Sequence, residues 1–164
     1  MMRPLVVMGV SAAGKSTVGR GLARELDLRF VDADDLHPSR NRHKMASGRP
    51  LTDEDRWPWL DLVGAEIARD TRVVVACSAL RRRYRDRLRL CATDLAFIHL
   101  HAPTPVLESR ARSREDHFMP PSLLSSQLAT LEKLADDERG VTIDVSVDAA
   151  EVIATATEWA RTHD

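Results

Sequence analysis

Eight residues near the amino terminus carry the most specific chemistry in the chain. Gly9, Val10, Ser11, Ala12, Ala13, Gly14, Lys15 and Ser16 match G-x-x-x-x-G-K-[S/T] in full. Glycine at positions 9 and 14 lets successive backbone N–H groups turn inward. With the positive end of a following helix they form a nest for phosphate oxygens. Gly9 to Ser16, with Thr17 next, is therefore the expected triphosphate site. Lys15 reaches the β- and γ-phosphates, and the Ser16 hydroxyl is a ligand for Mg²⁺.

A second constellation is Asp32 and Asp34, which leave a short apolar run two positions apart and so on the same side. Beside a triphosphate, Asp32 is expected to hold Mg²⁺ through water. Asp34 is expected to take the proton of an attacking hydroxyl. Asp35 fits the N-cap of a helix beginning near Leu36. No N-K-x-D stretch, the guanine-reading pattern, appears late in the chain, which favours ATP and a small acceptor. Residues 40–60 are polar, rich in donors and crowded with tryptophan and proline. They suit the wall of a pocket for a polyhydroxylated anion, with Lys44, Arg49 or Arg56 toward its negative end.

These groups need a scaffold, and the chain supplies alternating strands and helices. Strands are expected at Leu5–Met8, Phe30–Asp32, Arg72–Cys77, Leu95–Leu100 and Val141–Val145. Helical patterns fill Lys15–Leu28, Pro58–Asp70 (with proline at the first helical position), Arg81–Cys91, Thr104 to about Arg114, Ser122 to about Leu134, and Ala149–Arg161. Alternation with continuous apolar strands predicts an α/β fold, a three-layer α/β/α sandwich around a parallel sheet. The ligand then sits at the carboxyl ends of the strands. The 164 residues form one expected domain. Formal net charge is −1, unlike a generally basic nucleic-acid binder. The apolar runs are far too short for a membrane span. Two cysteines, Cys77 and Cys91, without C-x-x-C spacing suggest neither a disulfide scaffold nor zinc, and point to the cytoplasm.

The chain resembles the gluconokinases of the P-loop type. The residues that carry the resemblance are Met8 to Ser11, Asp32-Ala33-Asp34, Leu36-His37-Pro38, Asn41, Lys44-Met45-Ala46, Gly48, Pro50-Leu51, Asp53, Asp55-Arg56 and Pro58-Trp59-Leu60. Further along are Cys77 to Leu80, Tyr84-Arg85-Asp86, Glu108-Ser109-Arg110, Arg114, His117-Phe118, Gln127 and Thr130-Leu131-Glu132. The resemblance implies the P-loop fold of nucleoside-monophosphate and shikimate kinases, with five parallel strands in the order 2-3-1-4-5. It also implies transfer of the ATP γ-phosphate to the 6-hydroxyl of D-gluconate with Mg²⁺, and a homodimer. Substrate contacts are expected from Asp34, His37, Lys44, Arg56, Ser78, Arg81 and His117, within a substrate segment of about 36–60 and beyond. Arg110 and Arg114 share a helix face in an expected lid of about 110–121, which would bring them over the phosphates and exclude water. Catalysis is expected from Lys15, Asp34, Arg110 and Arg114. Ala12-Ala13 where the family often has Gly-Ser, and Asp116 where glycine is common, are departures from the pattern. The adenine contact is expected near Val145–Ala149.

Two other readings share these residues. A kinase for shikimate or a nucleoside monophosphate would use the same scaffold. An ATP-dependent nucleic-acid factor would explain the six arginines around Tyr84 between Arg81 and Arg89. Those arginines wrap all sides of a helix and form no stripe. They read as partly substrate-side (Arg81 or Arg85) and partly surface, which leaves no nucleic-acid partner expected.

Overall fold

The computed structural model describes residues 1–113 and 122–164. The apolar run Leu5–Met8 is buried at every position and forms β1, the central strand of the sheet. On one side it pairs in parallel with β3 (Val73–Ala76), Leu5 opposite Val74. On the other it pairs with β4 (Ala96–His101), Leu5 opposite Ala96. β2 (Arg29–Asp32) and β5 (Gly140–Asp144) lie at the two edges, giving the order β2-β3-β1-β4-β5 that was expected. β1 and β3 carry apolar residues at successive positions because helices cover both faces of a parallel sheet.

Helix α1 (Lys15–Leu26) packs over β2 and β3 and against α7 (Ala149–Thr162). Another helical layer holds α3 (Asp53–Arg69) and α4 (Arg82–Arg89), packed together. α2 (Ser39–Ala46), α5 (Thr104–Arg112) and α6 (Leu123–Thr130) sit in the connections around the carboxyl ends of the strands.

Three local expectations are corrected. α3 begins at Asp53 and not at Pro58. Thr52 and Asp55 form a reciprocal cap (Thr52 N–H to Asp55 Oδ2, 2.8 Å; Asp55 N–H to Thr52 Oγ1, 3.2 Å) that starts the helix a turn and a half earlier, with Pro58 inside it. Asp35 is not a cap. Asp32 caps the 3₁₀ turn Ala33–Leu36, and α2 starts only after Pro38. α6 ends at Thr130, short of Leu134, because the chain turns away to deliver Glu132 N–H to Leu80 O (2.7 Å).

Candidate active site

The loop between β1 and α1 has the shape its glycines allow. Gly9 has φ +148°, and a Cβ there would stand 2.7 Å from the Leu100 carbonyl oxygen. Gly14 has φ +89° and leads directly into α1. The amides at the head of α1 therefore point into the loop's concavity. Lys15 is buried, and its Nζ donates to the Val10 carbonyl at 2.9 Å. The Ser11 amide donates to Gln127 Oε1 at 2.7 Å, so α6 is tied to the loop. Gly9 N–H reaches Ser78 O at 3.2 Å, which ties the loop to the end of β3.

The carboxylates follow from the same topology. β2 lies two strands from β1, and its last residue, Asp32, accepts from Ser16 Oγ at 2.7 Å and from the Asp34 amide at 3.0 Å. This hydroxyl–carboxylate pair at the mouth of the nest is the oxygen donor set a hard divalent cation takes, so the residues fit Mg²⁺. Asp34 is turned by the 3₁₀ segment into a cleft that it shares with Lys15, His37, Arg56, Trp59 and Ser78.

Arg56 and His37 are positioned with care. Nη1 of Arg56 donates to Leu51 O (2.6 Å) and Tyr84 Oη (3.1 Å), and its guanidinium lies over the Tyr84 ring, 5.1 Å from the centroid. The Tyr84 hydroxyl in turn donates a hydrogen bond to Asp53 Oδ1 at 2.5 Å. That hydrogen bond is the main reason the Asp53 carboxyl lies below its ordinary range. Burial draws Arg56 down from its usual value, and Tyr84 and Asp53 oppose this. The His37 ring stacks on Trp59 with centroids 4.1 Å apart, and Trp59 is held by Nε1–H to Ala33 O at 2.7 Å. Burial first, then the charges of Arg42 and Arg56, lower His37 to about 3, so the ring is neutral at physiological pH.

Other expected residues lie elsewhere. Lys44 is not among the residues lining this cleft; its Nζ is bound to Asp55 Oδ2 at 2.6 Å, the main cause holding that carboxyl at about 2. Arg81 is the residue before α4, half-buried near Arg56 but outside the cleft lining. Arg85 is not on the substrate side. It is fully buried and forked onto Glu138 (2.6 and 3.0 Å), with Nη1 on Ala79 O at 2.8 Å. Arg110 lines a different groove, with Ala13, Gly14, Thr17, Val145 and Val147 beside the triphosphate nest. Arg114, His117 and most of the expected lid lie outside the described residues. Two contributors were not singled out for roles from sequence. Gln127 was visible only as part of the resemblance. The partner of Arg85, Glu138, is 53 positions away with no local signal.

A family profile described as an AAA domain matches residues 5–134. A gluconokinase of Gluconobacter oxydans is 49% identical over 83% of this chain and 79% of its own length. The chain belongs to the gluconokinase family. Two solved structures agree. A gluconokinase from Sinorhizobium meliloti is 46% identical with TM-score 0.91, covering 98% of this chain and 93% of that one. An unliganded sugar kinase from Janibacter is 44% identical with TM-score 0.92, covering 97% and 94%. Within this gluconokinase scaffold the arginine-rich α4 is internally neutralised. Arg82 pairs with Asp137, Arg83 with Asp53, Arg85 and Arg89 with Glu138, and Arg87 with Asp61. Arginines so engaged do not present the free cationic stripe that phosphate backbones require. No helix among the described residues is long and apolar enough to cross a membrane.

Proposed function

We propose that this chain transfers the γ-phosphate of ATP to the 6-hydroxyl of D-gluconate, giving 6-phospho-D-gluconate. The observation that carries the reading is the composition of one cleft. The phosphate-side Lys15 and the carboxylate Asp34 share it with Arg56, whose Nε and Nη2 make no hydrogen bond among the described residues. An arginine anchored through one nitrogen and open on its other edge suits a carboxylate. The acid end of gluconate lies there, and its terminal hydroxyl reaches Asp34.

Lys15 and the loop amides from Gly9 to Thr17 hold the triphosphate, and the Arg110 groove at the end of β5 takes the adenine. Asp34 orients the hydroxyl and accepts its proton, and alignment of the two reactants supplies much of the rate. His37 and Ser78 complete the acceptor pocket. Arg114 and His117 keep the roles the resemblance implies, charge stabilisation and closure over the substrate within the lid, as parts of one kinase domain. Mg²⁺ held by Ser16, and by Asp32 through water, supplies neutralisation of charge on the phosphate oxygens. A homodimer in the cytoplasm belongs to the same proposal. The unpaired Cys77 and Cys91 suit a reducing compartment, and sedimentation equilibrium decides the subunit number.

An ATP-consumption screen over gluconate, related sugar acids, shikimate and nucleoside monophosphates tests the reading. Turnover should be fastest with gluconate. Preference for shikimate or a nucleotide would move the chain to another acceptor class.

A further inference from the structure

The environment of His37 determines where its proton sits. Asn41, on α2, is fully buried. Its Nδ2 lies 2.9 Å from the carbonyl oxygen of Asp55 and 3.2 Å from Nδ1 of His37. The Asp55 carbonyl can only accept, so Nδ2 is the donor end of the amide. The second amide proton then points at His37 Nδ1, which must offer a lone pair. A neutral imidazole with a lone pair on Nδ1 carries its proton on Nε2. The amide keeps this orientation although its Oδ1 is buried with no hydrogen-bond partner among the described residues, so the donor side dictates the geometry.

The other end of the ring is open. His37 lines the cleft with Asp34 and Arg56, and Nε2 makes no hydrogen bond among the described residues. Stacking on Trp59 fixes the ring plane. The charged groups that bear on the ring are Arg42 from α2 and Arg56 from α3. Both act with burial to keep the ring uncharged, so it does not compete with Arg56 for an anion.

We propose that Asn41 is a positioning residue that locks His37 as an Nε2–H donor, and that this N–H binds a hydroxyl oxygen of the polyhydroxy-acid substrate. The inference rests on the reading of the cleft as the acceptor site and adds to it a specificity element. A neutral, pre-oriented donor rewards an acceptor that carries a hydroxyl at that point and penalises one that lacks it, because the N–H would then be left unpaired.

Long-range ¹H–¹⁵N correlation spectra of the wild-type enzyme read the tautomer directly, without any substitution. They should show the Nε2–H pattern for His37, and an Nδ1–H ring or an imidazolium at neutral pH overturns the inference. Steady-state kinetics add the second arm. His37→Leu removes the donor and should raise the gluconate KM by about tenfold or more, with the ATP KM unchanged. His37→Gln, which keeps an amide N–H near the position of Nε2, should recover most of that loss. An unmoved gluconate KM in His37→Leu, equal rises in both KM values, or no recovery in His37→Gln each overturns it. Asn41→Asp, which offers an acceptor to Nδ1, should move the proton to Nδ1. A spectrum still showing Nε2–H would remove Asn41 from the positioning role. A wild-type enzyme that turns over gluconate normally with its ring protonated on Nδ1 refutes this inference alone. One that turns over no polyhydroxy acid refutes the proposed function as well.

Discussion

In the proposed reaction Asp34 and Arg56, which line one cleft, divide it between chemistry and binding, and their substitutions should separate in kinetics. Asp34→Asn keeps the shape and loses the proton acceptor. The catalytic rate should fall by about 10²- to 10⁴-fold with the ATP KM little changed, and an unaltered rate in a stopped-time ADP assay would remove Asp34 from the role of base. Arg56→Ala loses the open edge of the guanidinium. It should raise the gluconate KM with a smaller effect on kcat, and an unchanged KM would reject the carboxylate contact. At this scale the sequence revealed residue types better than residue partners. Arg110 and Arg114 at helical spacing announce a shared face, but not that Arg110 looks into the groove lined by Val145 and Val147. Lys44 looked like an anion ligand because nothing local reveals that Asp55, 11 positions on, takes its charge.

Among the elements, those that bury continuous apolar runs were legible within a residue or two, as β1 and β3 are. The segment after β2 was not. α2 buries only Asn41 and Met45, too few inward positions to leave a helical period, and the 3₁₀ turn before it is capped by Asp32 and pinned by Trp59 and Arg42, side chains from other elements. The start of α3 was hidden by Pro58, which invites placement at a first helical position, while the capping residue Thr52 lies six residues upstream of it. α4 misled for a different reason: its most buried long side chain is an arginine. Arg85 and Glu138 are 0% and 1% exposed, and Arg85 also holds the carbonyl of Ala79, whose φ is +44°. Removing one partner of a buried pair leaves the other charge uncompensated. Arg85→Met should therefore lower the unfolding free energy by about 3–5 kcal/mol. The double variant Arg85→Met/Glu138→Leu should lose less than the single one. Urea denaturation checks both, and a loss under about 1 kcal/mol would rank the pair with surface bridges.

For the molecule as a whole, the buried histidines shape the response to mild acid. Burial lowers His37 to about 3 and His99 to about 4, and both ring nitrogens of His99 are buried without a hydrogen-bond partner among the described residues. The folded state therefore binds fewer protons than the unfolded state between those values and the ordinary histidine value. Stability is fully present above about pH 6.5 and is lost as pH falls toward 4, with a slope approaching about 1.4 kcal/mol per pH unit for each ring. Urea midpoints measured across that range should show the loss, and His99→Leu should remove its share of the slope. A flat profile from pH 6.5 to 4.5 would mean the rings are solvated in the native state. In the proposed reaction the nest at the head of α1 delivers a phosphoryl group to an alcohol activated beside it. The most direct test is ³¹P and ¹³C NMR of the products formed from ATP, Mg²⁺ and D-gluconate. A phosphomonoester on carbon 6 should form in step with ADP. ADP accompanied only by inorganic phosphate, or an ester on another carbon, would contradict it.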